Sequence, residues 1–201
     1  WLRRKGNKET TVSFQFRTLR AVFNRAIEEN VVSKEKNPFE QFKVSKFNTK
    51  TKKRALTKED MMKIITTETI QATTLRTFTR DVFTFAYLCG VISFVDMANL
   101  TLDNIYKERI RYIRQKTHGE INLKLCDQAK EIIEKYISYR EKATYLFPIL
   151  DARSHKTPMQ KKNRVRKVLA RINKELKVLA SELEIKTDVT TYTAKHHTIS
   201  I

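Results

Sequence analysis

Apolar residues recur at helical spacing over residues 11–30, where Phe16, Leu19, Phe23, Ala26 and Ile27 fall on one face. Thr11 is placed to cap that helix, and Arg17, Arg20 and Asn24 lie on another face. Asn37-Pro38-Phe39 closes this first bundle, because the residue before a proline is driven out of helical geometry. Residues 43–55 are rich in Lys and Thr, carry no periodicity, and predict a tether between two lobes. Thr57-Lys58-Glu59-Asp60 then opens a helix, with a hydroxyl cap and an acid three residues on. Over 71–90, Phe78, Val82, Phe83, Phe85, Ala86 and Leu88 leave few polar sides, which predicts a buried central helix. A buried pattern continues through Val95, Met97, Ala98, Leu100 and Leu102.

The period then changes to two. Arg109 to Arg114 alternates, and after Thr117-His118-Gly119 the alternation resumes from Glu120 to Leu125, predicting a β-hairpin. Asp127 heads a helix carrying Ala129, Ile132, Ile133, Tyr136 and Ile137, and Leu146-Phe147-Pro148 reads as a loop. A long helix follows Pro158 and ends near Leu183, with Val165, Val168, Leu169, Ile172, Leu176 and Leu179 on its apolar face. Residues 192–201 start one more helix. The expected class is mainly α with a small antiparallel hairpin or sheet, and no internal repeat is visible.

Composition narrows the function classes. The 201 residues are 40% hydrophobic, with eleven Phe and seven Tyr, enough for a core despite 31% charged residues. Only three Gly and three Pro argue against a turn-rich β-sandwich. Apolar runs are a few residues long, too short for a bilayer span. The chain opens at Trp1 with neither an initiator Met nor an apolar leader, and is expected to be the interior of a longer protein. Cys89 and Cys126 both sit among apolar neighbours in sequence and are expected to be reduced thiols of a cytoplasmic protein.

The net charge of +19 is uneven. Residues 1–54 hold fifteen Lys/Arg against five Asp/Glu, a net +10. Residues 150–186 hold eleven against four, a net +7, while 55–149 is nearly neutral at +2. Two basic regions flanking a balanced middle point to a polyanion, with each neutralised phosphate adding counterion release. A membrane surface fits less well, since neither end is an amphipathic helix with a broad apolar face.

Four stretches carry a family resemblance: FRTLRAVFNRAIEENVV with NPFEQFKV, KKRALTKEDM, FAYLCGVISFVDMANLTLDNI, and the pair RQKTHGEINLKL and TTYTAKHHT. Together they resemble tyrosine recombinases, or phage-type integrases, of the kind carried by mobile elements of Bacteroides-like bacteria. The resemblance implies three segments. Residues 1–42 would be the C-terminal part of a helical SAM-like core-binding domain, 43–55 a linker, and 56–201 a DNA breaking-rejoining catalytic domain incomplete at its C-terminus. It further implies double-stranded DNA with attachment-type sites as partner, other recombinase subunits on that DNA, and no cofactor or metal. A bacterial, nucleoid-associated location and a monomer in solution go with it.

The family's chemistry is attack by a Tyr hydroxyl on a phosphodiester, giving a 3′-phosphotyrosyl link and a free 5′-hydroxyl. Two Arg surround the pentavalent phosphate, and a hairpin Lys protonates the leaving oxygen. Carried over to this chain, Lys116 in RQKTHGE takes the general-acid place. The first Arg position falls on Cys89 or Ser93, neither of which is a cation, and Asp96 matches an acid that braces this region. In the second box Tyr192 takes the position usually held by His, Lys195 replaces Arg, and His196 follows as a second donor. His197 has no counterpart and is expected to be exposed. All seven tyrosines precede Lys195, so the nucleophile is expected to be missing and the chain inactive. Arg17, Arg20, Lys52, Lys53, Arg54, Lys161, Lys162 and Arg164 are the candidate DNA contacts. The alternative is an inactive recombinase-like module that binds DNA or regulates an active partner.

Overall fold

A computed structural model describes residues 2, 4–49, 56–67, 74–90, 92–138 and 144–194. They fall into two compact units, Trp1–Lys53 and Arg54–Ile201.

The first unit is built on α1 (Glu9–Glu28), which begins two residues before Thr11. Lys8 occupies the N-cap position and makes no side-chain cap bond; Glu9 in the first turn complements the helix dipole instead. The Glu9 carboxylate also accepts the Asn48 N–H at 3.3 Å, tying the end of this unit to its start. The core consists of Val12, Phe39, Val44 and Phe47, with Phe16, Phe23 and Phe42 packed against it. Phe16 stacks on Phe42 at 4.8 Å and on Phe47 at 5.5 Å, and Lys46 Nζ lies 3.7 Å over the Phe42 ring. Residues 44–47 therefore pack into the first unit although their sequence shows no periodicity. Val44 and the ring of Phe47, which packs on Phe16 and Phe42, are anchors enough for an irregular segment. Leu19, expected on the buried face, is 47% exposed.

The second unit opens with α2 (Lys58–Thr66), whose N-cap Thr57 accepts from the Asp60 N–H at 3.1 Å, as the sequence predicts. The central helix α3 (Thr74–Leu88) buries Val82, Phe83 and Phe85 completely. After α4 (Phe94–Asn99) come β1 (Ile105–Tyr106), β2 (Arg109–Ile113) and β3 (Glu120–Lys124). They form one antiparallel sheet in the order β1-β2-β3, with Arg109 opposite Lys124 and Ile113 opposite Glu120. The hairpin falls where the period-two pattern put it. The two-residue β1 is too short to leave a pattern of its own. Two further helices, α5 (Asp127–Ser138) and α6 (Pro158–Glu182), complete the order. Thr157 and Gln160 close a reciprocal capping box on α6, and Pro158 sits where a missing N–H costs nothing.

An aromatic cluster joins these elements: Phe147 lies 5.1 Å from Phe85 of α3 and 5.4 Å from Tyr136 of α5. Beneath it Asp81, 5% exposed, accepts from Lys135 Nζ at 2.6 Å and from the Tyr136 hydroxyl at 2.8 Å. Burial, and then the Asp81 charge, hold the Tyr136 phenol above its ordinary pKa. Arg76 of α3 clamps α6 by bonding Glu175 at 2.8 Å and Glu182 at 2.7 Å. Cys126 is exposed rather than apolar in its surroundings, because it directly precedes α5 outside the core, and both thiols are free. Among the described residues no helix is long and apolar enough to cross a membrane.

Candidate functional site

Lys116 sits at the tip of the β2–β3 hairpin. The tip is closed by Arg114 N–H donating to the Gly119 carbonyl at 2.9 Å and His118 N–H donating to the Arg114 carbonyl at 2.8 Å. His118 takes a left-handed φ of 54°, a conformation that reverses the chain at a local cost. The Lys116 side chain is exposed, and so are Thr117 and His118 beside it.

What fixes the base of this tip is one carboxylate. Asp96, 3% exposed, accepts from the Ser93 N–H at 3.2 Å and from the Ser93 hydroxyl at 2.6 Å on one oxygen. Its other oxygen accepts from the Gln115 N–H at 2.9 Å, directly before Lys116. Ser93 in turn accepts from the Asp96 N–H at 3.1 Å, completing a capping box at the start of α4. Asp96 is thus both a helix-capping acid and a staple between α4 and the hairpin. A buried carboxylate with three such donors holds them more firmly than a neutral acceptor would. The Ser-x-x-Asp spacing signals the cap in the sequence, whereas the bond to Gln115 spans nineteen positions and carries no local signal.

The staple borders a cleft of about 260 Å³ lined by Asp96, Asn99, Leu100, Asn104, Tyr112 and Gln115, with Ile113 at its edge. Tyr112 is 7% exposed, and its hydroxyl finds no hydrogen-bond partner among the described residues. Burial first, and then the Asp96 charge, keep this phenol protonated well above its ordinary range. Sequence reasoning missed Tyr112 and the cleft.

The two candidates for the first cationic position do other work. Cys89 is 7% exposed in the core, and burial pushes its thiol up to about 12, so it stays neutral at physiological pH. Ser93 is the α4 cap just described. Between them Gly90 adopts a left-handed φ of 59° at the end of α3, a position where a side chain would be strained. The geometry therefore ties Ser93 and Asp96 to Gln115, the residue before Lys116, and leaves Cys89 and Ser93 with structural work of their own.

The remaining candidates divide. Tyr192 is 65% exposed in a turn where Thr190 and Thr193 bond each other, the Thr193 hydroxyl donating to the Thr190 carbonyl at 2.7 Å. Lys195 and His196 lie outside the described residues, as do Lys52, Lys53 and Arg54. In the first unit, Arg17 and Arg20 are exposed on α1. On α6, Lys162 is exposed, but Lys161 is half-buried with its Nζ 5.7 Å over the Tyr145 ring. Arg164 is also half-buried, and its Nε donates to the Ile149 carbonyl at 3.1 Å. Sequence reasoning missed the exposed cations further along α6: Arg166, Lys167, Arg171 and Lys174. Their spacing was there to find them. Among the described residues no grouping of three or more His, Cys, Asp or Glu is placed to hold a metal ion.

No family model matches the chain, and no curated protein matches it. Solved structures do. Lambda integrase (residues 75–356) bound to DNA superposes with a TM-score of 0.65 at 17% identity, over 95% of this chain and 64% of that one. A lambda integrase (75–356) dimer bound to a COC′ core site gives 0.66 at 19% identity, over 96% and 64%. The Tn1549 transposon integrase (82–397) in complex with circular intermediate DNA gives 0.58 at 17% identity, over 97% and 66%. The chain thus spans just under two thirds of the length of these solved integrase fragments. Its fold, mainly helical with a small three-stranded antiparallel sheet, is the tyrosine-recombinase catalytic fold.

Proposed function

We propose that this chain is the DNA-gripping portion of a site-specific tyrosine recombinase of the Bacteroides mobile-element type, acting in integration or excision. On this reading residues 1–42 are the end of a core-binding domain whose core Val44 and Phe47 complete, the rest of 43–55 leads on from it, and 56–201 belong to the catalytic domain. Attachment-type duplex sites and other recombinase subunits are its partners. The observation that carries the reading is the hairpin lysine in this fold, with Lys116 exposed at a tip whose base a buried carboxylate holds. An ammonium there is suited to reach a phosphodiester and protonate the oxygen that leaves it. The integrases that share the fold were solved with DNA bound.

A second reading is favoured by a specific observation: the positions that should supply the first cation are a neutral core thiol and a helix cap. Without a fork-shaped cation at the phosphate, the charge that develops there is left without its preorganised partner. These residues therefore bind DNA without cutting it, as an inactive recombinase-like module or a regulatory partner. One experiment tests both parts. A photo-crosslinking residue replacing Lys116 is expected to join duplex DNA on irradiation, and a suicide substrate is expected to give no denaturant-resistant protein–DNA band. DNA that binds but never crosslinks from position 116 overturns the hairpin assignment. A denaturant-resistant band without irradiation overturns the inactivity.

A further inference from the structure

We propose that the outer face of α6 holds the sugar–phosphate backbone of double-stranded DNA without reading its sequence. The inference rests on the DNA-binding reading above and names the surface of the second unit that carries it. Lys162, Arg166, Lys167, Arg171 and Lys174 are all exposed, and among the described residues none of them enters an ion pair. At about 100° per residue they share one half of the helix with Lys177, whose Nζ lies 3.4 Å from Asp188. The opposite half, through Val165, Val168, Ile172, Leu176 and Leu179, is buried in the core.

The acids of α6 explain why that outer face has a single sign. Glu175 and Glu182, the two acids of α6, both turn to Arg76 of α3, so among the described residues the carboxylate paired with the row is Asp188 at its Lys177 end. A helix face that is only solvated interleaves acids and bases at i and i+4, because such pairs stabilise it. Here Lys162 stands four residues before Arg166 and Lys167 four before Arg171, so like charges face each other and destabilise the free helix. A bound polyanion turns that repulsion into attraction.

The dimensions and chemistry select the polyanion. From Lys162 to Lys177 the helix rises about 22 Å at about 1.5 Å per residue. B-form DNA offers one charge per about 1.7 Å of axis, so over that length its phosphates outnumber the cations of the row. An anionic lipid surface needs an apolar half-helix to enter it, and that half of α6 is already inside the protein. Single strands are held by stacking bases on aromatic rings, and α6 contains none. A row of Lys and Arg without base-reading geometry grips a duplex backbone of any sequence.

The test uses the full chain and a fourfold variant: Arg166→Gln, Lys167→Gln, Arg171→Gln and Lys174→Gln. Binding to two duplexes of unrelated sequence is measured across a range of salt. The log–log slope is expected to shrink by about 0.9 for each phosphate no longer neutralised, about 3.6 in all, equally on both duplexes. Neutralising a self-repelling face leaves the fold intact, which a melting curve checks. The single variant Lys174→Gln, with a drop of about 0.9, gives a second measure. A folded fourfold variant that keeps the parent's slope and affinity overturns this surface while leaving the DNA reading in place. A loss on only one of the two duplexes overturns the claim of sequence-independent binding. A parent chain with no salt-sensitive binding to either duplex overturns both readings together.

Discussion

Asp96 is the residue on which the hairpin depends. Its two oxygens serve Ser93 and Gln115, so a change to Asn replaces one acceptor with a donor facing a donor. Asp96→Asn is expected to cost about 1.5–3 kcal/mol of stability, read by chemical denaturation, and to speed amide exchange at Gln115. Unchanged exchange at Gln115 would remove the staple from this account. Cys89 gives a second test at the same scale. Its thiol is pushed up to about 12 in the fold against an ordinary value of 9.0, so the folded state keeps a proton that the unfolded state loses. Stability supplied by that proton is full below about pH 9 and is lost as pH rises toward 12. Thiol reagent at about pH 8, just under the ordinary thiol range, is accordingly expected to label Cys126 in the native protein and Cys89 only after unfolding. Native labelling of both thiols would contradict the burial.

At the scale of elements, Phe147 ties the loop before α6 to α3 and α5 through Phe85 and Tyr136, with no exposed surface of its own. Phe147→Ala is expected to cost about 3–5 kcal/mol, measured by the shift of the denaturation midpoint, because the fully packed site has little room to collapse. A loss under about 1 kcal/mol would mean that the cluster is not where the second unit is held together. Most of these elements were legible in the sequence. Hydrophobic period gave α3 and α6, a hydroxyl cap gave the start of α2 and Pro158 that of α6, and the switch to period two gave the hairpin. What stayed hidden followed from the same logic. β1 has two residues, too few for a period. Val44 and Phe47 pack without periodicity, so their place in the first core could be found only in three dimensions. The Asp96–Gln115 bond and the Tyr112 cleft likewise join residues whose spacing carries no pattern.

For the whole molecule, the charge map and the fold meet in one claim. The net +19 is concentrated in residues 1–54 and 150–186, and in the second of these regions exposed cations line the outside of α6. The candidate site was half legible: Lys116 and Asp96 could be picked out beforehand, and the spacing of α6 already set Arg166, Lys167, Arg171 and Lys174 apart from its apolar face, but a charge count alone did not. Arg164 and Lys161, counted as DNA-binding from their charge, turn toward a carbonyl and a ring. Total charge points to a polyanion as the partner, whereas the helix face shows which cations remain to meet it. The most direct test is the affinity of the full chain for duplex DNA between about 50 and 200 mM salt, plotted on logarithmic axes. The account predicts a steep line, falling by about 0.9 in slope for every phosphate neutralised and so by several units in all. A flat line, or binding that salt leaves untouched, would contradict it.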